Sequence, residues 1–120
     1  MKPEEIMLGD YVQVNGEVCK VISISYFDIG ISDSKEDFYH EHMDNIKPIP
    51  LTPEILERNG LEQINTDYYD LDVYEANDGL WRVVYSNLEC SGFDESVLVS
   101  SVHELQHFLR HLKIDKEIEI

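Results

Sequence analysis

Apolar and polar positions alternate through Tyr11-Val12-Gln13-Val14 and again through Val18-Cys19-Lys20-Val21-Ile22-Ser23-Ile24, with Asn15-Gly16 between them. Period two is the signature of a strand with one face buried. Asn-Gly supplies the left-handed residues of a two-residue hairpin turn. Asp28-Ile29-Gly30-Ile31 and Glu36-Asp37-Phe38-Tyr39-His40 read as two further short strands, with a turn at Asp33-Ser34. Strands this short bury little unless they curl on themselves, so the pattern predicts a small SH3-like β-barrel over residues 1–50. Val21 and Ile22 are adjacent, so one must face outward, and the C-terminal half is expected to cover it. Ile46-Lys47-Pro48-Ile49-Pro50 ends the segment, because closely spaced prolines do not suit a central strand.

The periodicity then changes. Thr52 can cap a helix with Pro53 in its first turn, and Asn59-Gly60 can close it, letting Leu61 fold back on Leu56. The helix is too short to stand alone and must dock by Ile55 and Leu56. Beyond it, Tyr69, Leu71 and Val73 alternate with Asp70, Asp72 and Tyr74. Asn77-Asp78-Gly79 makes a turn, and Leu80-Trp81-Arg82-Val83-Val84-Tyr85 returns. A third strand is expected around Leu88-Glu89-Cys90 or Val97-Leu98-Val99, and a final helix over Val102 to Lys113. The predicted class is α+β: a barrel at residues 1–50, then helix, antiparallel sheet and C-terminal helix at residues 51–120. The short, stiff Pro48-Ile49-Pro50 link leaves little room for independent movement, so the halves are expected to pack together.

Composition narrows the function classes. In 120 residues, 25 Asp/Glu against 9 Lys/Arg give a net charge of −16, with no basic cluster. Nucleic-acid and anionic-lipid binding both need cations at the surface, so direct binding to either is not expected. The acidity instead suits a basic protein partner, or mimicry of nucleic-acid charge. No apolar run approaches the roughly 20 residues of a membrane span. Met1-Lys2-Pro3-Glu4-Glu5 lacks the layout of a secretory signal, which points to the cytoplasm. Cys19 and Cys90 have no C-x-x-C partner, so each is expected to pack as a small hydrophobe.

One string names a reaction. His103-Glu104-Leu105-Gln106-His107 is H-E-x-x-H, which on a helix can set two zinc ligands, His103 and His107, around a general base, Glu104. Against a zinc-dependent hydrolase, the extended pattern fails: Arg110 stands at its glycine and Lys113 at its third ligand. Ser101 and Glu104 also form a capping box, which explains the glutamate without catalysis. On a helical wheel Val102, Leu105, Phe108, Leu109 and Leu112 form a core stripe, with His103, His107 and His111 nearly opposite. The expectation is therefore no catalytic residue and no metal. His107 and His111 should be exposed, and His107→Ala nearly neutral; the zinc site is the alternative. Histidines at such spacing, or His40 and His42 two apart on a strand, could take a transition metal weakly. Asp70 and Asp72 sit on a presumed solvent face. Trp81, Tyr85, Tyr68, Tyr69 and Tyr74 read as core and cross-strand ladder, or as a recognition surface.

Three stretches carry a resemblance. Leu8-Gly9-Asp10-Tyr11-Val12 leading to Asn15-Gly16, Pro48-Ile49-Pro50-Leu51-Thr52 ahead of Glu54-Ile55-Leu56, and Val102-His103-Glu104-Leu105-Gln106 span most of the chain. In these it resembles a group of small Bacteroidetes proteins from prophage-like or mobile regions. The resemblance implies the architecture but no activity and no site residue. The function expected is that of a non-enzymatic protein-interaction or accessory protein. A zinc-dependent hydrolase and an acidic nucleic-acid mimic are the alternatives.

Overall fold

The computed structural model describes residues 5–25, 28–88 and 94–120 and is α+β, with two helices and two antiparallel sheets. The chain divides into two units: residues 1–49 with 101–108, and residues 50–100 with 109–120. The expected boundary near Pro50 lies at the first crossing. The second crossing falls inside the final helix, which no composition shift marks.

In the first unit, β1 (Tyr11–Val14), β2 (Glu17–Ile24), β3 (Asp28–Ser32), β4 (Phe38–His42) and β5 (Ile46–Lys47) form a sheet in the order β4-β3-β2-β1-β5. Val14 pairs with Glu17 across a two-residue turn in which Asn15 (φ 52°) and Gly16 (φ 80°) are both left-handed, as Asn-Gly predicts. Val12, Val14, Cys19, Val21, Ile29, Ile31 and Ile46 pack with Ile6 and Met43 as the core of this unit. Among the described residues no closed barrel is found. The edge strands β4 and β5 are joined through a single 3₁₀ turn, Met43–Asn45, and β5 is two residues long and pairs with β1. So short a strand, ahead of Pro48, gives the sheet little to close on.

A bulge lies between Val21 and Ser23 and leaves Ile22 as the extra residue. Ile22 is the outward member of its pair, as the sequence requires, but it is not covered: 40% of it is exposed. Gly30 stands opposite Ser23, whose Oγ leaves no room for a Cβ at that position. The fourth strand runs from Phe38 to His42 rather than from Glu36, because Asp33 extends the turn. Its Oδ1 accepts from the N–H groups of Lys35 (2.9 Å) and Asp37 (3.0 Å), and Glu36 is left-handed at φ 62°.

In the second unit, α1 (Pro53–Asn59) is punctuated as the sequence predicts. Thr52 Oγ1 accepts from Ile55 N–H at 3.2 Å, Gly60 is left-handed, and Leu61 N–H reaches Leu56 O at 2.9 Å. A sheet β6-β7-β8-β9 follows, made of Gln63–Asn65, Tyr69–Asn77, Leu80–Asn87 and Asp94–Val99. Leu71 and Val73 are buried while Asp70, Asp72 and Tyr74 are exposed, which is the alternation read from sequence. The second of the two expected third strands is β9; Glu89 and Cys90 lie outside the described residues. Three residues around Ile64 form β6, too short for periodicity to register.

The last helix, α2, spans Val102–His111, two residues short of the expected Lys113. Lys113 is itself left-handed (φ 59°), with its N–H on Arg110 O and Ile114 N–H on Leu109 O. That is a helix stop built without glycine. The tail then runs back to α1, where Asn59 brackets Glu119. Asn59 Nδ2 donates to Glu119 O at 2.7 Å and Oδ1 accepts from Glu119 N–H at 2.6 Å, while neighbouring Ile118 is fully buried. Among the described residues, no helix is long and apolar enough to cross a membrane.

The bracket gives a test. Asn59→Ala should cost about 1–2 kcal/mol, the scale of two lost hydrogen bonds partly replaced by water. It should also speed tryptic cleavage after Lys116 under native conditions. Urea titration and limited proteolysis of wild type and variant measure both.

Candidate functional site

The H-E-x-x-H segment lies in the first two turns of α2, in the first unit, and it does not present a solvated polar face. His103 is buried, 6% exposed, and the His107 side chain is only 27% exposed. The expectation that these two histidines face water is therefore corrected; His111 is exposed as expected. Val102, Leu105 and Leu109 are buried, but Phe108 and Leu112 are only partly so. The buried arc has rotated from the apolar stripe toward the histidines, and polar partners make that rotation tolerable.

The decisive partner is Asp10. Its carboxylate is fully buried, and its Oδ2 accepts from His107 Nε2 at 2.6 Å and from Met7 N–H at 2.7 Å. A buried carboxylate without donors is very costly, whereas one held by charge-assisted hydrogen bonds is stable. Gln106, also buried, works beside it as a clamp on the same loop. Tyr11 N–H donates to Gln106 Oε1 at 2.9 Å, and Gln106 Nε2 donates to Gly9 O at 3.2 Å. The helix thus reads the backbone of Gly9-Asp10-Tyr11 as a neighbouring strand would.

The start of the helix supplies the second constraint. Ser101 O accepts from Leu105 N–H at 3.2 Å, and Ser101 Oγ donates to Glu104 Oε1 at 2.8 Å. Ser101 Oγ also lies 3.0 Å from His103 Nδ1. A serine has one proton, and here it goes to a carboxylate. The contact with His103 must then run the other way, with Nδ1–H donating to Oγ. That fixes the tautomer and leaves the Nε2 lone pair of His103 free. Burial, more than the nearby carboxylates can offset, holds the imidazole below its ordinary value of 6.5. Glu104 is therefore tied to Ser101 at the helix start through a contact between side chains, where the expected capping box called for reciprocal contacts with backbone N–H groups.

His103, Glu104 and His107, with Glu5 and Pro48, line a cleft of about 480 Å³. The two rings meet edge to face, centroids 5.5 Å apart and planes at 78°. His107 points Nε2 at Asp10, so the pair does not direct two nitrogens at one centre as a shared zinc ion would need. Among the described residues, no three His, Cys, Asp or Glu side chains gather at metal-holding distances. The cleft places the buried His103 imidazole beside two carboxylates, Glu5 and Glu104.

The other candidates are dispersed. His40 and His42 are exposed on β4, each beside an acid, Asp28 at 3.5 Å and Asp44 at 3.4 Å. Asp70 and Asp72 are exposed on β7. Trp81 is buried with its Nε1 on Leu51 O at 3.2 Å, and Tyr69 packs edge-on against Tyr85 at 6.4 Å. Tyr68, Tyr69 and Lys113 line a shallow hollow of about 530 Å³ in the second unit. Cys19 is buried, as a small hydrophobe is. Burial pushes its thiol up, and its contact with Tyr39 at 3.6 Å raises that phenol to about 12. Cys90 lies outside the described residues. Sequence reading missed Asp10 and Gln106. The available signal was their place in two of the three stretches that carry the resemblance.

Two outcomes follow. His107→Ala, neutral if the ring were solvated, should now cost about 1.5–3 kcal/mol, because it strips a donor from a buried carboxylate. A double-mutant cycle with Asp10→Asn should show coupling of about 1 kcal/mol or more. The second outcome concerns pH. The folded value of His103 lies below its unfolded one, so the unfolded chain takes up the proton first as pH falls through about 6.5. Stability should fall on acidification below that point, and His103→Gln should show a shallower fall, measured as urea midpoints from pH 7.5 to 5.0. The remaining histidines are common to both proteins and drop out of the difference. Comparison with protein-family models, with curated proteins and with solved structures finds no match to this chain.

Proposed function

We propose that this chain is a non-enzymatic interaction protein whose partner is a basic protein. The observation that carries the reading is the 2.6 Å contact between His107 Nε2 and the fully buried Asp10. It ties the second histidine of the one reaction-naming string to the fold. With Glu104 and His103 bonded to Ser101 and Gln106 clamped on the Gly9–Tyr11 backbone, five of the residues from Ser101 to His107 have architectural partners. What remains is charge. The first unit holds eleven Asp/Glu against four Lys/Arg and the second fourteen against five, so both halves favour a cationic partner.

The strand order β4-β3-β2-β1-β5, with a 3₁₀ turn before the last strand, supports reading the first unit as an SH3-like sheet left open. Such small sheets commonly serve as binding scaffolds, an analogy of fold alone. The resemblance to Bacteroidetes proteins of mobile regions supports an accessory role inside the cell for an element of that kind. Mimicry of nucleic acid is a special case of the same reading, in which the basic partner is itself a nucleic-acid-binding protein.

A zinc-dependent hydrolase is the second reading, favoured by the free Nε2 of His103 in a cleft shared with Glu104 and Glu5. Melting temperature with and without a chelator separates the two, on protein purified without a histidine tag. The interaction reading expects the same melting temperature for wild type in both conditions. It also expects His107→Ala to melt lower by the same amount with or without chelator. A chelator-sensitive wild type beside an insensitive His107→Ala variant establishes the hydrolase reading instead, since a metal bound to the folded state adds its binding free energy to stability.

A further inference from the structure

Among the described residues, the first unit's sheet ends at β4. Strand β4 is the outermost of the five, and among the described residues its outer edge has no paired strand. Alternate residues of such a strand turn their N–H and C=O groups outward, a template for an added strand. Proteins usually blunt such an edge with a proline, a lysine or a bulge. Phe38-Tyr39-His40-Glu41-His42 has no proline or lysine, and its register with β3 runs without a shift from Asp28↔His42 to Ser32↔Phe38. Phe38, at one end of the strand, is 71% exposed, the largest value among the exposed large hydrophobic residues.

Charge selects what can settle there. From Asp33 to Asp44 the chain carries Asp33, Glu36, Asp37, Glu41 and Asp44, with Lys35 as the one cation. A second copy of this chain would bring the same carboxylates edge to edge, so self-pairing is opposed. A cationic strand meets the opposite sign at both ends, and its guanidinium groups can lie on the Phe38 ring. The competing edges are less suited. Strands β5 and β6 have two and three residues, and β9, though six residues long, has no comparable acid run on both flanks.

We propose that β4 is the docking edge for an extended, arginine- or lysine-rich segment of the partner, which adds to the sheet as a further strand. Backbone hydrogen bonds hold the segment, and the acids at either end of β4 choose it over neutral or acidic segments. This rests on the basic-partner reading above and names its site.

The full chain is titrated at low salt with a fluorescent heptapeptide, Arg-Val-Arg-Val-Arg-Val-Arg, and with its fully N-methylated counterpart. The second peptide keeps the charge but cannot pair along a strand. The N-methylated peptide should bind at least about tenfold more weakly, the effect of two or three lost backbone hydrogen bonds. Hydrogen exchange should slow at residues 38–42 when the first peptide is bound. Asp37→Asn with Glu41→Gln should weaken binding several-fold, while Asp70→Asn with Asp72→Asn, an equal change of charge, should leave it unchanged. Equal binding of both peptides, or protection at β9 in place of β4, defeats the edge proposal and leaves the basic-partner reading standing. Concentration-dependent protection of β4 without peptide means the occupant is a second copy, which also defeats it. No binding of either peptide defeats both readings together.

Discussion

A carboxylate with no exposed surface organises the first unit. Asp10 is placed where water cannot reach it, so every donor it receives must come from the chain. One is local, the Met7 N–H three residues back; another is His107, nearly a hundred residues further on. The pair converts a turn that would otherwise stand alone into a docking point for a helix, and Gln106 adds two backbone contacts to the same turn. Removing either end leaves a charge or a donor stranded in a dry place, and this asymmetry makes such contacts strict in geometry. Val102 N–H on Ile49 O at 2.8 Å brings in a third segment. Three stretches far apart in sequence thus supply, in Asp10, Ile49 and Gln106, contacts that join the helix to this unit.

Local physics made much of the architecture legible. The Asn15-Gly16 turn, the Thr52-Pro53 start and Gly60 stop of α1, and the alternation of Leu71 and Val73 with Asp70 and Asp72 each depend on a few neighbouring residues. Period and propensity report them directly. What escaped reading depends on distance along the chain. Hydropathy assigns His103, Gln106 and His107 to a polar face, because it prices an imidazole or an amide as though its partner were water. Once Asp10, Ser101 and the Gly9–Tyr11 backbone serve as partners, the same residues belong to the interior, and a helical wheel cannot contain that information. The closed barrel failed for a related reason: closure depends on the length and direction of β5, and two residues carry no period.

Acidity and the open sheet are connected. An uncovered edge strand with an aromatic end is an aggregation hazard, and the usual remedy is a lysine placed on the edge. On the docking proposal, carboxylates at both ends take the place of that lysine. High negative charge would then oppose pairing of like edges and favour a cationic strand. On this view the acid run from Asp33 to Asp44 and the unpaired backbone of β4 form one functional feature, and neither is informative without the other.

The division of the final helix also constrains the order of events as the polypeptide leaves the ribosome. The first unit draws on residues 1–49 and then on 101–108, and the second needs 109–120 to complete it. At translation speeds of roughly 5–20 residues per second, the early sheet waits several seconds for the segment that supplies Gln106 and His107. During that interval Asp10 waits for His107, and the Gly9–Tyr11 backbone waits for Gln106. The first unit's last segment, 101–108, emerges ahead of the second's, 109–120, by twelve residues. Both units therefore wait on residues beyond position 100, and a ribosome that stalls before Ser101 leaves both incomplete.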